Sequence, residues 1–277
     1  SAFSQAHQLL CSPVDFIQAQ YGLSGIGYAI STACTSGARA VASAARLLKL
    51  GLCDAVLCGG VDSLSLLTIN GFASLEVVSG RVARPFAADR DGINIGEAAA
   101  VFLMTRVPMP GFPEGEPIGL LGYGASSDAW HMSSPRPDGE GAMQAIQAAL
   151  QGAGLSAGDL GWINLHGTGT TQNDAMESLA VVQTLGVDVP GTSTKPHTGH
   201  TLGAAGALEA AIVWGFVSRQ LNPSGALPAQ GNERDPSLAP LRLTRPGDRW
   251  PSGRRLGLST SFAFGGNNMA LIMGDTA

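Results

Sequence analysis

Apolar residues fall in two kinds of run along the chain. Short stretches rich in Ala, Val, Leu and Ile lack strict alternation, the mark of strands covered on both faces. They predict strands over 27–31, 55–58, 98–105, 118–125, 162–165, 256–260 and 269–273. Ala-rich runs of helical length separate them and predict helices over 12–20, 34–50, 140–151, 174–185 and 201–220. This interleaving indicates an α/β architecture. Pro and Gly cluster over 108–117 and 222–240, which predicts loops, and no stretch splits the chain into independent domains. The longest apolar stretch, 203–217, contains Glu209 and is too short to span a bilayer, so it reads as a buried helix and no membrane partner is expected.

Composition narrows the class. With 44% hydrophobic and 13% charged residues in 277, the chain is not disordered, and 38 Gly without a Gly-X-Y period exclude a collagen. A net charge of -5 gives no reason to expect a nucleic-acid partner, although an Arg-rich stretch from Arg219 to Arg255 allows one basic patch. Four Cys without a CxxC pair, and no secretory leader, point to a reducing, cytoplasmic compartment. The chain opens on Ser rather than Met, so a cropped or processed front is expected.

One weak internal repeat bears on function. The eleven residues from Thr35 align with the eleven from Thr201 at five positions, which places Cys34 opposite His200. Both residues then precede the first turn of a small-residue helix. A duplicated fold would bring those two helix starts to one centre.

Cys34 lies in Ser31-Thr-Ala-Cys-Thr-Ser-Gly37, between an expected strand and an expected helix. A free thiol has a pKa of about 8.5, and a helix N-terminus favours an anion by up to about 2 kcal/mol. At about 1.4 kcal/mol per pKa unit that brings the thiol to around 7, with desolvation opposing. Cys11, Cys53 and Cys58 read as ordinary small hydrophobes. His166 closes an expected strand in Asn164-Leu-His-Gly-Thr-Gly-Thr170, at the strand end where α/β folds bind ligands. The same segment also reads as a capped loop leading into the next helix. Thr168 and Thr170 offer hydroxyls suited to an amide-bearing ligand. His200 ends Ser193-Thr-Lys-Pro-His-Thr-Gly-His200, and a helix N-terminus there keeps the imidazole neutral and able to donate one N–H. Lys195 before it and Glu209 after it supply charges that orient the site. Phe262-Ala-Phe264-Gly265-Gly-Asn-Asn268 offers backbone N–H groups to a ligand oxygen, or forms a plain hairpin turn. No metal-ligand spacing occurs.

Taken together, TACTSG at Cys34, RPFAADRDGINIGEAAA from Arg84, SSDAWHMSSPRPDGEGA from Ser126, NLHGTGT at His166, STKPHTGHTLGAAGALEA from Ser193 and SFAFGGNN from Ser261 are far more specific than any one. In this order they resemble the β-ketoacyl-acyl-carrier-protein synthases of fatty-acid and polyketide synthesis. The resemblance implies a thiolase-like fold, two βαβαβαββ halves in five layers. Residues 1–106 would be the remainder of an incomplete first half, and 107–277 the second. It further implies decarboxylative condensation of an acyl group on Cys34 with a malonyl thioester. His166 and His200 would hold the malonyl carbonyl, and the N–H groups of Cys34 and Phe264 would form an oxyanion hole. Phe264 would gate the acyl chamber that Phe262, Gly265 and Asn268 help to shape. Thr168 and Thr170 would bind the pantetheine arm, Lys195 and Glu209 would support the centre, and Arg81 would meet an acidic acyl carrier protein. No cofactor beyond the carrier's phosphopantetheine is implied, and a homodimer is. The alternatives are a thiolase, against which the two His segments speak, a non-catalytic chain-length-factor-type partner, which usually lacks the nucleophile, and an inactive fragment.

Overall fold

The computed structural model describes residues 9–106 and 118–276. The expected loop over 108–117 lies outside the described residues. The first helix, α1 (Ser12–Tyr21), carries Pro13 in its first turn and stops at Gly22 in the left-handed region. Helix α2 (Ser36–Lys49) leads into strand β1 (Ala55–Asp62), helix α3 (Leu66–Ser74) and strand β2 (Ala98–Thr105). Then follow β3 (Ile118–Ser127), α4 (Glu140–Ala153), β4 (Trp162–Asn164), α5 (Thr171–Leu185), β5 (Gly191–Thr192), the one-turn α6 (Lys195–Thr198), α7 (Ala205–Val217), β6 (Leu256–Ala263) and β7 (Asn267–Asp275).

From β3 to β7 the order is a full βαβαβαββ unit. Its five strands form one mixed sheet in the order β3-β7-β6-β4-β5, with β6, β4 and β5 parallel and β3 and β6 antiparallel to β7. The αββ end of that unit, α7-β6-β7, reappears earlier as α2-β1-β2, where β1 and β2 pair antiparallel from Ala55↔Thr105 to Asp62↔Ala98. Helices α2 and α7 lie side by side between the two sheets, and α4 and α5 cover the other face of the five-stranded sheet. The described residues thus form four layers of a thiolase-like arrangement: sheet, helices, sheet, helices.

Small residues set the spacing of the middle layer. A Cβ at Gly37 would come within 2.7 Å of the Ala207 nitrogen, and one at Gly206 within 2.7 Å of Ala38. The repeat is therefore a packing device: both helices begin with residues small enough to let their backbones touch. The buried face of α2 comprises Ala38, Val41, Ala42 and Leu48, while Arg46 and Lys49 lie in the last turn, where cations suit the helix dipole.

Several expectations need correction. No strand forms over 27–31; that segment is exposed, tied to α2 by the Tyr28 hydroxyl and Ser43 Oγ at 2.6 Å. Apolar residues alone do not make a strand without a ladder partner, and no described strand lies beside this one. The expected helix over 201–220 divides into a 3-10 turn at Leu202–Ala204 and α7, ending at Val217. Helix α3 and short β5 were not anticipated. Burial on both faces holds for β6 and β7 but not for β1 and β2, whose outer residues Leu57, Val61, Val101 and Leu103 are 42% to 58% exposed.

Candidate active site

The two chain segments aligned by the repeat meet where α2 and α7 begin. Cys34 precedes α2 and His200 precedes the turn into α7. The residue before each, Ala33 (φ 53°) and Gly199 (φ 69°), lies in the left-handed region, so both segments kink at the same place. His200 Nε2 is 2.9 Å from Cys34 Sγ. The His166 ring stands edge-on to the His200 ring, with centroids 5.3 Å apart, and edge-on to Phe262 at 5.9 Å. All three reactive side chains are buried.

Burial decides the electrostatics. It pushes the Cys34 thiol up to about 12; the Lys195 charge pulls it down, and the Glu209 charge adds to the rise. Desolvation is the largest cause, and it moves the thiol away from the expected value near 7 rather than toward it. Helix α2 starts at Ser36 with Thr35 as its cap, so Cys34 is one residue before the cap. A thiolate here needs a base at hand, and the His200 imidazole is the group within hydrogen-bond distance of the sulfur. Burial, with Lys195 adding, holds both His166 and His200 well below the ordinary imidazole value, so both are neutral at pH 7.

The two imidazoles differ in what holds them. Lys195 Nζ lies 3.3 Å from His166 Nδ1, donates to the His166 carbonyl at 2.5 Å, and pairs with Glu209 Oε1. An ammonium has no lone pair to accept with, so Nδ1 accepts from it and the His166 proton is on Nε2. His200 Nδ1 is buried and has no hydrogen-bond partner among the described residues, so its tautomer is not pinned in this way.

Two buried acids that sequence reasoning missed complete the support. Glu177 accepts the backbone N–H groups of His166 (2.7 Å) and Gly167 (2.6 Å) and the Thr260 hydroxyl (2.8 Å). Asp174 accepts those of Phe86 (2.7 Å) and Gly169 (3.1 Å). Burial raises Glu177 to about 7 and Asp174 to about 6. Their spacing was a signal: acids three residues apart share one helix face.

Cys34, His166 and His200 line a single cavity with Thr168, Thr170, Phe262, Phe264 and Asn268. The Thr168 and Thr170 hydroxyls are 3.1 Å apart. The Phe262–Asn268 segment is indeed the β6–β7 hairpin turn, and it also walls the cavity. Phe264 stacks at 5.8 Å on Phe72 of α3, and the Gly265 N–H donates to the Met132 carbonyl at 2.8 Å. Asn268 Nδ2 donates to Asp128 Oδ1 at 2.7 Å, and Asp128 too lines the cavity. Lys195 and Glu209 lie behind His166. Arg81 is not brought to the cavity wall; it is half exposed and paired with Asp89 (3.0 Å) and Asp91 (3.5 Å). In the Arg-rich stretch, Arg219 pairs with Asp275 and Arg242 with Asp248, so acids answer part of the patch. Among the described residues no cluster of His, Cys, Asp and Glu is arranged to hold a metal, and no helix is long and apolar enough to cross a membrane.

Comparison with known proteins agrees with this geometry. The family model "Beta-ketoacyl synthase, N-terminal domain" matches residues 14–108, and "Beta-ketoacyl synthase, C-terminal domain" matches residues 119–225. The chain belongs to the β-ketoacyl synthase family. The 3-oxoacyl-(acyl-carrier-protein) synthase 2 of Rhizobium meliloti is 35% identical over 270 residues, 93% of this chain and 62% of the relative. A putative mitochondrial 3-oxoacyl-(acyl-carrier-protein) synthase of Schizosaccharomyces pombe is 33% identical over 282 residues, 95% of this chain and 65% of the relative. This β-ketoacyl synthase chain thus spans somewhat under two thirds of those relatives. Among solved structures, a chain of the Xenorhabdus doucetiae complex between the ketosynthase ApeO and its chain length factor ApeC superposes with a TM-score of 0.90 at 45% identity, covering 99% of this chain and 66% of that one. A β-ketoacyl synthase from Burkholderia phymatum superposes with a TM-score of 0.84 at 31% identity, covering 96% and 66%.

Proposed function

We propose that this chain carries the acyl-transfer and condensation chemistry of a β-ketoacyl-acyl-carrier-protein synthase, with Cys34 as nucleophile. The observation that carries the reading is the buried Cys34–His200 contact of 2.9 Å. In acylation His200 Nε2 takes the thiol proton as the sulfur attacks the thioester carbonyl. The carbonyl–pantetheine bond breaks, and the proton returns to the departing pantetheine sulfur. The oxyanion of that step is held by the N–H groups of Cys34 and Phe264; losing one such donor typically costs about 3 kcal/mol.

A malonyl thioester then enters past Thr168 and Thr170, whose hydroxyls suit the amides of a pantetheine arm. His166 Nε2–H, fixed by Lys195, donates to the malonyl thioester carbonyl as carbon dioxide leaves and the enolate forms. His200, with no partner pinning its Nδ1, supplies the second donor. The enolate carbon attacks the Cys34 thioester, a C–C bond forms, and the Cys34 sulfur departs as a thiolate, which takes up one proton from solvent through the His200 imidazole. Carbon dioxide loss generates the nucleophile, so no strong base is required. The partners of this reading are an acyl carrier protein, with Phe264 as gate, and a second copy of the chain. A non-catalytic chain-length-factor role is the weaker alternative, because the sulfur and both imidazoles converge.

Decarboxylation of a malonyl carrier thioester tests the reading. His166→Ala slows carbon dioxide release while sparing acylation of Cys34. His200→Ala slows both steps, each by about 100-fold or more. Unchanged decarboxylation in both variants overturns the proposal.

A further inference from the structure

His200 is gripped through its backbone from outside its own segment. Its N–H donates to the Asn94 carbonyl at 2.6 Å, and its carbonyl accepts the Gly96 N–H at 3.0 Å, a one-residue parallel bridge between Ile95 and His200. The two strands of this bridge touch: a Cβ at Gly96 would lie 2.2 Å from the Thr198 carbonyl, and one at Gly199 2.9 Å from the Gly96 nitrogen. Just before it, Ile93 bridges Val78, its N–H donating to the Val77 carbonyl and its carbonyl accepting the Ser79 N–H, both at 2.8 Å. The Asn94 side chain carries that anchorage on to the residue that holds His200. Its Oδ1 accepts the Ala83 N–H at 2.6 Å, and its Nδ2 donates to the Arg81 carbonyl at 2.8 Å and to the Ser79 carbonyl at 3.4 Å. Ser79 and Ala83 are buried while Arg81 and Val82 between them are exposed, so these bonds fasten Asn94 to the two buried ends of the loop and to its outer turn.

We propose that Asn94 is a positioning residue for His200: its amide anchors the 79–83 loop while its own carbonyl holds the His200 backbone, and this sets the imidazole over the Cys34 sulfur. The inference deepens the proposed function and rests on it. It also makes the loop that bears Arg81 and the general base share one side chain. A primary amide is the group for this place, because two carbonyls need a donor and one N–H needs an acceptor within one side chain. An Asp of the same shape keeps the acceptor and turns the donor into a repelling oxygen.

Alkylation of Cys34 by iodoacetamide across pH, followed by peptide mapping, tests this without requiring turnover. While His200 is neutral, alkylation assisted by the imidazole does not depend on pH, because the proton moves from sulfur to nitrogen within the site. Unassisted alkylation rises about tenfold per pH unit below the thiol pKa. The charged and titratable groups facing the pair, His166, Lys195, Glu209 and Asp62, are the same in wild type and variant. Asn94→Ala, checked for folding by its melting transition, should lose about tenfold or more of the pH-independent rate at Cys34. Its profile should approach that of His200→Ala, with Cys53 and Cys58 labelled as in wild type. Should Asn94→Ala fail to fold, Asn94→Asp gives the same reading. A folded variant that keeps the wild-type plateau while His200→Ala loses it overturns the role of Asn94 and leaves the proposed function standing. A His200→Ala variant that keeps the plateau overturns both.

Discussion

The units α2-β1-β2 and α7-β6-β7 each set a helix against an antiparallel strand pair and begin against each other, with α3 inserted between β1 and β2, yet only the second has both faces of its strand pair covered. Strands β6 and β7 lie between α7 on one side and α4 and α5 on the other, and all but their end residues are buried. Strands β1 and β2 rest on α2 and α7 by one face, through Cys58, Phe102 and Met104, and turn Leu57, Val61, Val101 and Leu103 outward. The covered unit brings His200 and the hairpin turn with Phe264; the open one brings Cys34. The same local pattern thus serves two energetic roles. The second unit is held by the core, and the first is held chiefly by its contact with the second.

The largest test of that contrast removes apolar volume from the covered hairpin. Leu258→Ala in β6, fully buried, should cost about 2–5 kcal/mol in urea unfolding. A loss under 1 kcal/mol, on the order of a surface change, would equate the two strand pairs. Next comes the crossing itself. Gly37→Ala adds a methyl group where the Ala207 backbone already stands at 2.7 Å, and should cost about 1–3 kcal/mol while slowing Cys34 labelling as the two helix starts part. Stability loss with unchanged labelling would show that the crossing does not set the sulfur–imidazole distance.

A pH comparison is subtler. Burial raises Glu177 from 4.5 to about 7, so its favourable contribution is complete below about pH 4.5 and fades as pH rises through about 7. Glu177→Gln places an amide N–H against backbone N–H groups and is less stable than wild type at low pH. That deficit should narrow from about pH 5 to about pH 8. A constant gap would mean that Glu177 is ionised at its ordinary pKa. The smallest effect belongs to the open strand pair: Val101→Thr, half exposed, should change the stability of this chain by less than about 0.5 kcal/mol.

The contrast also shows what the sequence made legible. Periodicity located β6, β7, α2 and α4 because local burial and apolar pattern agree there. It failed over 27–31, where the apolar residues had no described ladder to join, and it overstated the cover on β1 and β2, because residue type does not reveal whether a layer lies above. The reactive residues were legible through their turns: Gly and Thr after His166, and the aligned starts at Cys34 and His200. Their protonation was not. The Cys34 thiol is raised by burial that distant segments supply, and the sequence displays the helix end but not that burial. Glu177 and Asp174 were missed because an acid early in a helix looks like an ordinary dipole partner until its burial is seen.

The central claim is that Cys34 is the acyl-bearing nucleophile because His200 is there to deprotonate it. Incubation of the full chain with an acyl carrier thioester, followed by mass spectrometry of its peptides, tests it most directly. The account predicts one acyl group on the Cys34 peptide, absent in Cys34→Ala and formed far more slowly in His200→Ala. An adduct of equal yield on Cys53 or Cys58, or none on Cys34 in a folded chain, would contradict it.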